Sequence, residues 1–266
     1  MRVHDENWEH DLNYQTLNRP AENAISRSAD ASTPVTFNRV TNGAVTQDCP
    51  VIPRTYTEAQ GDATARLRFV YRVEQIAAMI LLVILIPLAA AIAIAIFALS
   101  RRSPLISHNR VGWHGEPIAM LKFRTMWEDI GPACPFQMVE NVDGYSSNSK
   151  QGVDPRVTSR FAALCRRFSL DEIPQLYHVV RGEMSLVGPR PLTLRELQKH
   201  YGPATPEVLS LRPGLTGLWQ LKGRSRLTYA QRRRLDLLLV RRMSAGLYLR
   251  ILFQSVPKVL AGVNAC

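Results

Sequence analysis

The apolar stretch IAAMILLVILIPLAAAIAIAIFAL, residues 76–99, decides the fold, because its 24 residues carry no charge. As a straight helix it would rise about 36 Å, enough to span a hydrocarbon core of about 30 Å. Pro87 lies near its centre, where it removes one backbone N–H and frees the carbonyl of Val83, so we expect a bend. Basic residues flank both ends: Arg66, Arg68 and Arg72 before it, and Arg101 and Arg102 after it. Such clusters favour the cytoplasmic side, so a spanning helix and a hairpin that returns to the same face both stay open.

Upstream of this stretch the sequence is polar and has no sustained apolar period. Residues 1–60 carry 8 acidic and 5 basic residues (net −3), and the remaining 14 acidic and 28 basic residues give +14. We predict a disordered tail over residues 1–64. The basic remainder indicates an anionic partner: phospholipid headgroups, a phosphorylated substrate or nucleic acid. The four scattered cysteines form no C-x-x-C, so neither a disulfide framework nor a zinc site is indicated.

Downstream of residue 104 the pattern predicts a compact, α-rich α/β domain. Two short strands are expected at Leu105–Arg110 and Ile118–Phe123, on either side of a glycine-containing turn, and residues 128–154 are typical of a loop. A helix is expected over 156–168. Thr228 and Gln231 form a capping-box pattern that predicts a helix extending to about Met243. The last apolar-periodic segment, from Leu247, predicts a helix that packs in the core or lies on the membrane surface.

The stretch SLDEIPQLYHVVRGEMSLVGPRP, residues 169–191, places Asp171 and Glu172 ahead of an apolar helical face. Pro174 is tolerated only in a first helical turn, so the helix is expected to begin near Asp171. An aspartate there can simply cap the helix. Alternatively, an ionised carboxylate beside a second one that holds Mg²⁺ can attack phosphorus and form an acyl-phosphate. Local sequence alone leaves both roles open.

Further candidates lie in the motifs that follow. The Gly-Pro-Arg-Pro turn at 188–191 holds Arg190 rigidly between two prolines, which suits a phosphate contact. The segment RPGLTGLWQLKGR, 212–224, offers Arg212, Arg224, two glycines whose N–H groups could cradle phosphate, and Trp219, which could stack on a base. Asp236 lies in an apolar run, where a carboxylate needs a partner: an arginine at 232 or 233, a metal or a substrate.

Taken in order, these motifs resemble the bacterial sugar transferases, the small monotopic polyprenyl-phosphate phosphoglycosyl transferases of the short, exopolysaccharide-initiating type. The resemblance runs from about Arg66 to about Leu260. It rests on the apolar segment with its central proline and on five motifs: SPLISHNRVGWHGEPIAMLKFRTM (103–126), DPRVTSRFAALCRRFSLDEIPQL (154–176), RGEMSLVGPRP (181–191), LRPGLTGLWQLKGRS (211–225) and RRLDLLLV (233–240).

The resemblance implies a reaction and a site. Such enzymes move sugar-1-phosphate from a nucleoside-diphosphate sugar, here a UDP-sugar, to undecaprenyl phosphate, with Mg²⁺ as cofactor. Asp171 would be the nucleophile, and Asp171 and Glu172 the metal ligands. The implied phosphate-binding residues are Lys122, Arg124, Arg190, Arg212 and Arg224, with Asp236, Pro191 and Trp219 in support.

The resemblance also implies an arrangement: a tail over 1–64, a re-entrant membrane helix-break-helix over 65–103 with its break at Pro87, and a catalytic domain over 104–266 that includes C-terminal amphipathic helices. The enzyme would lie on the cytoplasmic face of the bacterial inner membrane, in contact with lipid and without nucleic acid. A homo-oligomer is left open, as are a non-catalytic scaffold and a membrane-anchored nucleic-acid binder. This chain departs from the family pattern in having Ile86 before Pro87 and Tyr248 where relatives commonly have an acidic residue.

Overall fold

A computed structural model describes residues 37–42, 45–50, 61–126, 139–141, 159–222 and 227–261, with side chains for 67–126, 159–222 and 227–261. This part of the chain is rich in helix and carries three small sheets. The predicted α-rich α/β class is therefore confirmed at that level.

The apolar stretch lies within helix α1, Gly61–Ser100, which has Pro87 inside it. The helix is continuous, so the predicted helix-break-helix is not confirmed. Within the described residues α1 is the one helix long and apolar enough to cross a membrane.

One face of α1 packs against the rest of the protein along nearly its whole length. Its buried residues lie three or four positions apart, except for one gap of 14 residues, about four helical turns, so they share one face: Leu67, Tyr71, Glu74, Ala78, Ile92 and Ile96. At one end Leu67 packs with Leu211 and Val240, and at the other Ile96 packs with Phe123 and Cys165. The remaining faces are apolar and exposed, with Phe69, Ile76, Ile84, Ile94 and Phe97 among the exposed side chains.

The hairpin after α1 confirms the two predicted strands with bounds that differ by one residue. Strand β3 is Leu105–Val111 and β4 is Pro117–Phe123, paired antiparallel with Ile106 opposite Lys122 and Arg110 opposite Ile118. A 3₁₀ turn, Trp113–Gly115, joins them, and His114 adopts a left-handed φ of 54°. Strand β5, Val139–Asn141, pairs parallel with β3, so the segment predicted as loop contains a strand.

The carboxylate motif lies on a sharp helical corner. Helix α2, Arg160–Arg167, is capped by Ser159 and is followed by Ser169 in a left-handed conformation. A 3₁₀ helix, Leu170–Gln175, then continues into α3, Leu176–Val180. Gly182, with φ of 73°, ends the corner. Strand β6, Ser185–Val187, follows directly and leads to the Gly-Pro-Arg-Pro turn.

The C-terminal part surrounds this turn. Its elements are α4 (Leu194–Glu196), a π-helical turn (Leu197–Tyr201), a 3₁₀ turn (Gly202–Ala204), α5 (Thr205–Val208), β7 (Gly214–Thr216), α6 (Leu218–Lys222), α7 (Tyr229–Arg242) and α8 (Ala245–Leu260). β7 pairs parallel with β6. The capping box that opens α7 is present in full, because Thr228 and Gln231 exchange side-chain to backbone hydrogen bonds.

Helix α8 is half core and half surface. Tyr248, Ile251 and Ser255 face inward, whereas Leu249, Phe253, Val256 and Leu260 are exposed. Spacings of four, three and four residues place these exposed side chains along one stripe of the helix. The inward face confirms the core-packing alternative, and contact of the exposed stripe with the membrane stays a prediction.

The N-terminal segment contains strands β1, Phe37–Asn42, and β2, Val45–Pro50, in antiparallel pairing. Both strands lie within residues 1–64, which the sequence predicts as a disordered tail. The dipeptide Asn42–Gly43 between the two strands is a hairpin signal that the polar composition of this segment does not reveal.

Candidate active site

Asp171 lies inside the first turn of the 3₁₀ helix and is half-buried. The residue at the N-cap position is Ser169, whose side chain makes no capping hydrogen bond. Ile173 and Gln175 are buried, which fixes the orientation of this turn against the domain. Asp171 is therefore not the capping residue that the simplest interpretation of the sequence expects.

The charges around Asp171 act in opposite directions. Burial raises the pKa of Asp171, and the neighbouring charge of Glu172 also raises it, whereas the charges of Lys122 and Arg166 lower it. Lys122 Nζ lies 2.7 Å from Glu172 Oε1. Strand β4 thus places one cation against the carboxylate pair, as the resemblance implies for Lys122. Arg166, on α2, was not among the predicted site residues.

A buried histidine that sequence reasoning missed fixes β4 against this corner. Nε2 of His178 accepts a hydrogen bond from the Leu121 backbone N–H at 3.1 Å, and its Nδ1 lies 2.6 Å from Glu183 Oε2. Leu121 precedes Lys122, so this contact sets the position of Lys122 relative to Glu172. A histidine three residues after Gln175 gives no local signal of such a role, because the strand that it holds is 57 residues away in sequence.

A second cluster surrounds the Gly-Pro-Arg-Pro turn. Pro189 and Pro191 are buried and Arg190 between them is half-buried, as the rigid-turn prediction expects. A small cleft at this turn is lined by eight residues: Arg190, Leu192, Glu196, Tyr201, Trp219, Tyr229, Arg232 and Asp236. The structure therefore brings three predicted residues, Arg190, Trp219 and Asp236, to one place.

Asp236 is buried beneath Arg190. One of its carboxylate oxygens, Oδ2, accepts a hydrogen bond from Tyr201 Oη at 2.7 Å, and the backbone N–H of Arg190 donates to the same carboxyl group. Burial raises the pKa of Asp236 to about 7, although the charges of Arg190 and Arg232 oppose that rise. Among the described atoms its Oδ1 has no hydrogen-bond partner. Asp236 therefore holds the turn that presents Arg190.

Three guanidinium groups lie together at this cleft. Burial and, to a lesser extent, the charge of Arg190 lower the pKa of Arg110 to about 10. Burial also lowers the pKa of Arg232, and Arg190 again contributes. Glu196 Oε2 lies 3.6 Å from Arg110 Nη1 and supplies part of the negative charge that these cations favour. The sequence did not indicate Arg110, and it indicated Arg232 only as an ion-pair partner of Asp236.

Three glycines allow the turn to pack backbone against backbone. A Cβ at Gly214 would lie 2.0 Å from Gly188 N, and one at Gly217 would lie 2.4 Å from Gly188 O. The Gly214 N–H donates to Pro189 O at 2.8 Å. Gly214 therefore uses its N–H to hold the turn, which corrects the prediction that it cradles phosphate.

Trp219 and Arg212 differ from their predicted roles. Trp219 is 5% exposed, and its ring contacts the guanidinium groups of Arg190 and Arg232 at 5.0 and 5.1 Å, so it supports these arginines rather than offering a free face to a base. Arg212 lies 4.5 Å from the Tyr71 ring and 5.1 Å from the Trp113 ring, at the junction with α1.

Arg124 and Arg224 are the other two arginines predicted to bind phosphate. Arg124 is buried, and its Nε donates to Ser103 O at 2.9 Å, which ties the end of β4 to the α1–β3 connection. Arg224 lies outside the described residues.

A half-buried carboxylate pair with its own lysine, an arginine-lined cleft and an apolar helix docked along the same domain together have the features of a membrane-associated transferase for phosphorylated substrates. Comparison with known proteins supports this class. The family model for bacterial sugar transferases matches residues 67–262. The chain therefore belongs to the bacterial sugar transferase family and is an enzyme.

Several curated relatives are similar to this chain. The exopolysaccharide production protein ExoY of Rhizobium meliloti (strain 1021) is 42% identical over 160 residues, which cover 59% of this chain and 70% of that protein. The UDP-galactose-lipid carrier transferase of Erwinia amylovora is 37% identical over 203 residues, 73% of this chain and 41% of that protein. The undecaprenyl-phosphate galactose phosphotransferase of Salmonella typhimurium (strain LT2) is 35% identical over 163 residues, 59% of this chain and 33% of that protein.

Proposed function

We propose that this protein transfers sugar-1-phosphate from a UDP-sugar to undecaprenyl phosphate and thereby initiates exopolysaccharide synthesis. The observation that carries the proposal is the Asp171–Glu172 pair, which lies with Lys122 inside the region matched by the family. The names of the relatives support the two substrates, since they include a UDP-galactose-lipid carrier transferase and an undecaprenyl-phosphate galactose phosphotransferase. The comparisons give no support to the scaffold or the nucleic-acid binder.

The proposed reaction has two displacements at one phosphorus atom. An oxygen of Asp171 attacks the β-phosphorus of the donor, the bond from that phosphorus to the bridging oxygen breaks, and the nucleoside monophosphate leaves. A phosphate oxygen of undecaprenyl phosphate then attacks the same phosphorus, and the bond to Asp171 breaks. The two-step route divides one difficult transfer into two easier ones. Burial of Asp171 supports this role, because a carboxylate stripped of water is a stronger nucleophile.

The cations nearby fit the charge that develops in both steps. Lys122 and Arg166 act electrostatically on Asp171 and oppose the rise in its pKa that burial causes. Glu172 holds Lys122 in place through the 2.7 Å contact. We assign these residues the task of balancing the negative charge of Asp171 and of the phosphate that it attacks.

Asp171 and Glu172 are also the residues that would hold Mg²⁺. The described residues contain no group of three or more His, Cys, Asp or Glu side chains close enough to hold a metal. Two carboxylates nevertheless fit, because Mg²⁺ is commonly bound by one or two carboxylates together with water and substrate phosphates. When bound, the ion would neutralise charge on the donor diphosphate.

The cleft at the Gly-Pro-Arg-Pro turn is the second part of the proposed site. Arg190 would bind a substrate phosphate, with Arg110 and Arg232 adding positive charge beside it. Asp236 and Trp219 would hold these guanidinium groups in place. A planar guanidinium pre-organised in this way loses little entropy when it pairs with phosphate.

We further propose that α1, which is continuous in the structure, bends at Pro87 in the membrane, so that it enters and leaves on the cytoplasmic face of the inner membrane as a re-entrant segment over 65–103. Its two ends pack against the same domain, Leu67 with Leu211 and Ile96 with Phe123. From Leu67 to Ile96, 29 residues, the helix rises about 44 Å, which exceeds a hydrocarbon core of about 30 Å. If α1 crossed the bilayer, its two ends would lie on opposite sides, and the domain that contacts both ends would have to lie in the hydrocarbon core. The basic residues at both ends and the exposed stripe of α8 fit the same arrangement.

The topology predicts where two engineered cysteines can be labelled. Ile76→Cys and Leu99→Cys, each at an exposed position and in a chain otherwise without cysteine, should react with a membrane-impermeant maleimide from the same side of the membrane. That side should also label Glu116→Cys, a reporter on the exposed β3–β4 turn. Labelling of residues 76 and 99 from opposite sides would contradict the re-entrant arrangement.

The function is tested by incubating the purified full-length chain in lipid nanodiscs with radiolabelled UDP-sugars, undecaprenyl phosphate and Mg²⁺. Hexose and acetamido-sugar donors are both needed, because neither is favoured by the site. We expect sugar-phosphate in the lipid fraction and UMP in the aqueous fraction, with loss of both on chelation of Mg²⁺. Release of UDP would mean that the sugar alone is transferred, and this mechanism would then be wrong.

A further inference from the structure

Glu74 is the single acidic residue between Leu67 and Ser100, and it is 3% exposed. It lies on the face of α1 that packs against the domain, two residues after Arg72. A carboxylate in such a place is costly unless several donors satisfy it. The candidate active site described above makes no use of it, so its contacts need another explanation.

The Glu74 carboxylate joins α1 to two other elements. Its Oε2 accepts hydrogen bonds from Ser185 Oγ and from the Leu186 backbone N–H, both at 2.9 Å. The Tyr248 hydroxyl, on α8, donates to the same oxygen. Ser185 and Leu186 belong to β6, which ends at Val187, and Gly188 of the Gly-Pro-Arg-Pro turn follows. One carboxylate oxygen of α1 thus holds β6, the strand that leads into the turn with Arg190.

The second strand of the same small sheet is held from the neighbouring turn of α1. Arg212 packs on the ring of Tyr71, three residues before Glu74. Pro213, the next residue, accepts a hydrogen bond from Ser185 N–H at 2.8 Å. The positive charge of Arg212 acts on the Glu74 carboxyl. Within the described part of the chain, Glu74 Oε1 and Arg212 Nη1 have no hydrogen-bond partner. The opposite charges therefore compensate each other without a fixed bond.

We propose that Glu74 is a positioning residue that couples the seating of the membrane helix α1 to the placement of Arg190, with Tyr248 and Arg212 as its partners. The inference rests on the proposed function of Arg190. The contacts above imply this coupling. A shift of α1 would move Oε2 of Glu74 and, through its hydrogen bonds, β6. The turn would move with β6, because Gly188 directly follows the end of that strand. Tyr248 donates a hydrogen bond without adding a charge. The charged groups of the cluster are therefore one carboxyl group, Glu74, and one guanidinium, Arg212.

The test uses Glu74→Gln, Tyr248→Phe and the double variant in full-length protein in nanodiscs of phosphatidylethanolamine and phosphatidylglycerol. The Leu186 amide is the direct reporter, because its N–H donates to Glu74. We expect hydrogen exchange over residues 185–191 to rise at least about tenfold in Glu74→Gln and kcat for sugar-phosphate transfer to fall about tenfold. Since both residues act through one contact, the double variant should be little worse than the worse single variant.

Matched controls separate this role from general stability. Glu116→Gln and Tyr177→Phe change an exposed acid and an exposed tyrosine outside the cluster, and both should keep the wild-type exchange and kcat. Ser185→Ala removes one donor to Glu74 and serves as a milder variant if Glu74→Gln does not fold. Its exchange over 185–191 should rise without a fall in the protection of α7.

Two results would overturn the proposal. One is unchanged exchange over residues 185–191 in both Glu74→Gln and Ser185→Ala. The other is a uniform loss of protection across the domain with wild-type kcat per folded molecule, which describes a purely structural anchor. If the wild-type protein transfers no sugar-phosphate, the proposed function fails, and the exchange measurement still decides whether α1 is coupled to the turn.

Discussion

Asp171→Asn should abolish sugar-phosphate transfer, with a loss of at least about a thousandfold, equivalent to ~4 kcal/mol of activation free energy. The amide is nearly the same size and keeps the 3₁₀ turn, but its oxygen is a poor nucleophile and it cannot form the proposed phosphosugar-aspartyl intermediate. The positive charges of Lys122 and Arg166 then face a neutral group. The measurement is the rate of label transfer from UDP-sugar to lipid, together with intact-protein mass after mixing with donor alone.

The intermediate distinguishes a nucleophile from a mere metal ligand. Wild-type protein mixed with donor and no acceptor should gain the mass of one sugar-phosphate, and Asp171→Asn should not. Arg190→Ala keeps the nucleophile, so we expect it to form the adduct slowly and to lose about a hundredfold in kcat/KM, within the range of lost charge-assisted contacts to phosphate. Glu116→Gln, on the exposed turn, should behave as wild type. An adduct on Asp171→Asn would assign the attack to another residue.

Features that local chemistry determines could be predicted from the sequence. The capping box at Thr228 requires only four consecutive residues, and it is present as predicted. The strands at β3 and β4 follow from short apolar runs around a glycine-rich turn. Helix α1 follows from the uncharged apolar stretch over residues 76–99. In each case the deciding residues are close in sequence, so their pattern is visible without a structure.

Features that depend on contacts between distant segments could not be predicted. Arg110 on β3 comes near Arg190, which also acts on Arg232, only because β3, the turn and α7 converge, and nothing near Arg110 in the sequence indicates this. Trp219 and Arg212 were given ligand-binding roles from their residue types, whereas packing places each against partners within the protein. A sequence shows which chemistry a side chain offers, but burial decides whether that chemistry is available to a ligand.

Gly214→Ala is expected to have the second large effect, a loss of stability, because Gly214 of β7 packs directly against the backbone of Gly188. A Cβ at this position would lie 2.0 Å from Gly188 N, 2.6 Å from Gly188 Cα and 2.6 Å from Thr216 O. All three atoms belong to the backbone, so no side-chain rotation relieves the overlap and the two strands must separate. We expect a loss of about 3 kcal/mol or more in the free energy of unfolding, at the upper end of overpacking costs. Separation would also displace Pro189, which accepts the Gly214 N–H, and with it Arg190.

Gly246→Ala is the matched control, because we expect the same substitution to raise the free energy of unfolding at this position. Gly246 is exposed in the first turn of α8, and an added Cβ would meet nothing within 4 Å. Alanine restricts the unfolded chain and favours helix, so a gain of about 0.4–1 kcal/mol is expected. Pulse proteolysis in detergent across a urea series gives both free energies. If Gly214→Ala unfolded at the same urea concentration as wild type, the close backbone approach of Gly188 and Gly214 would not hold in the membrane-bound enzyme, and the placement of Arg190 would need another cause.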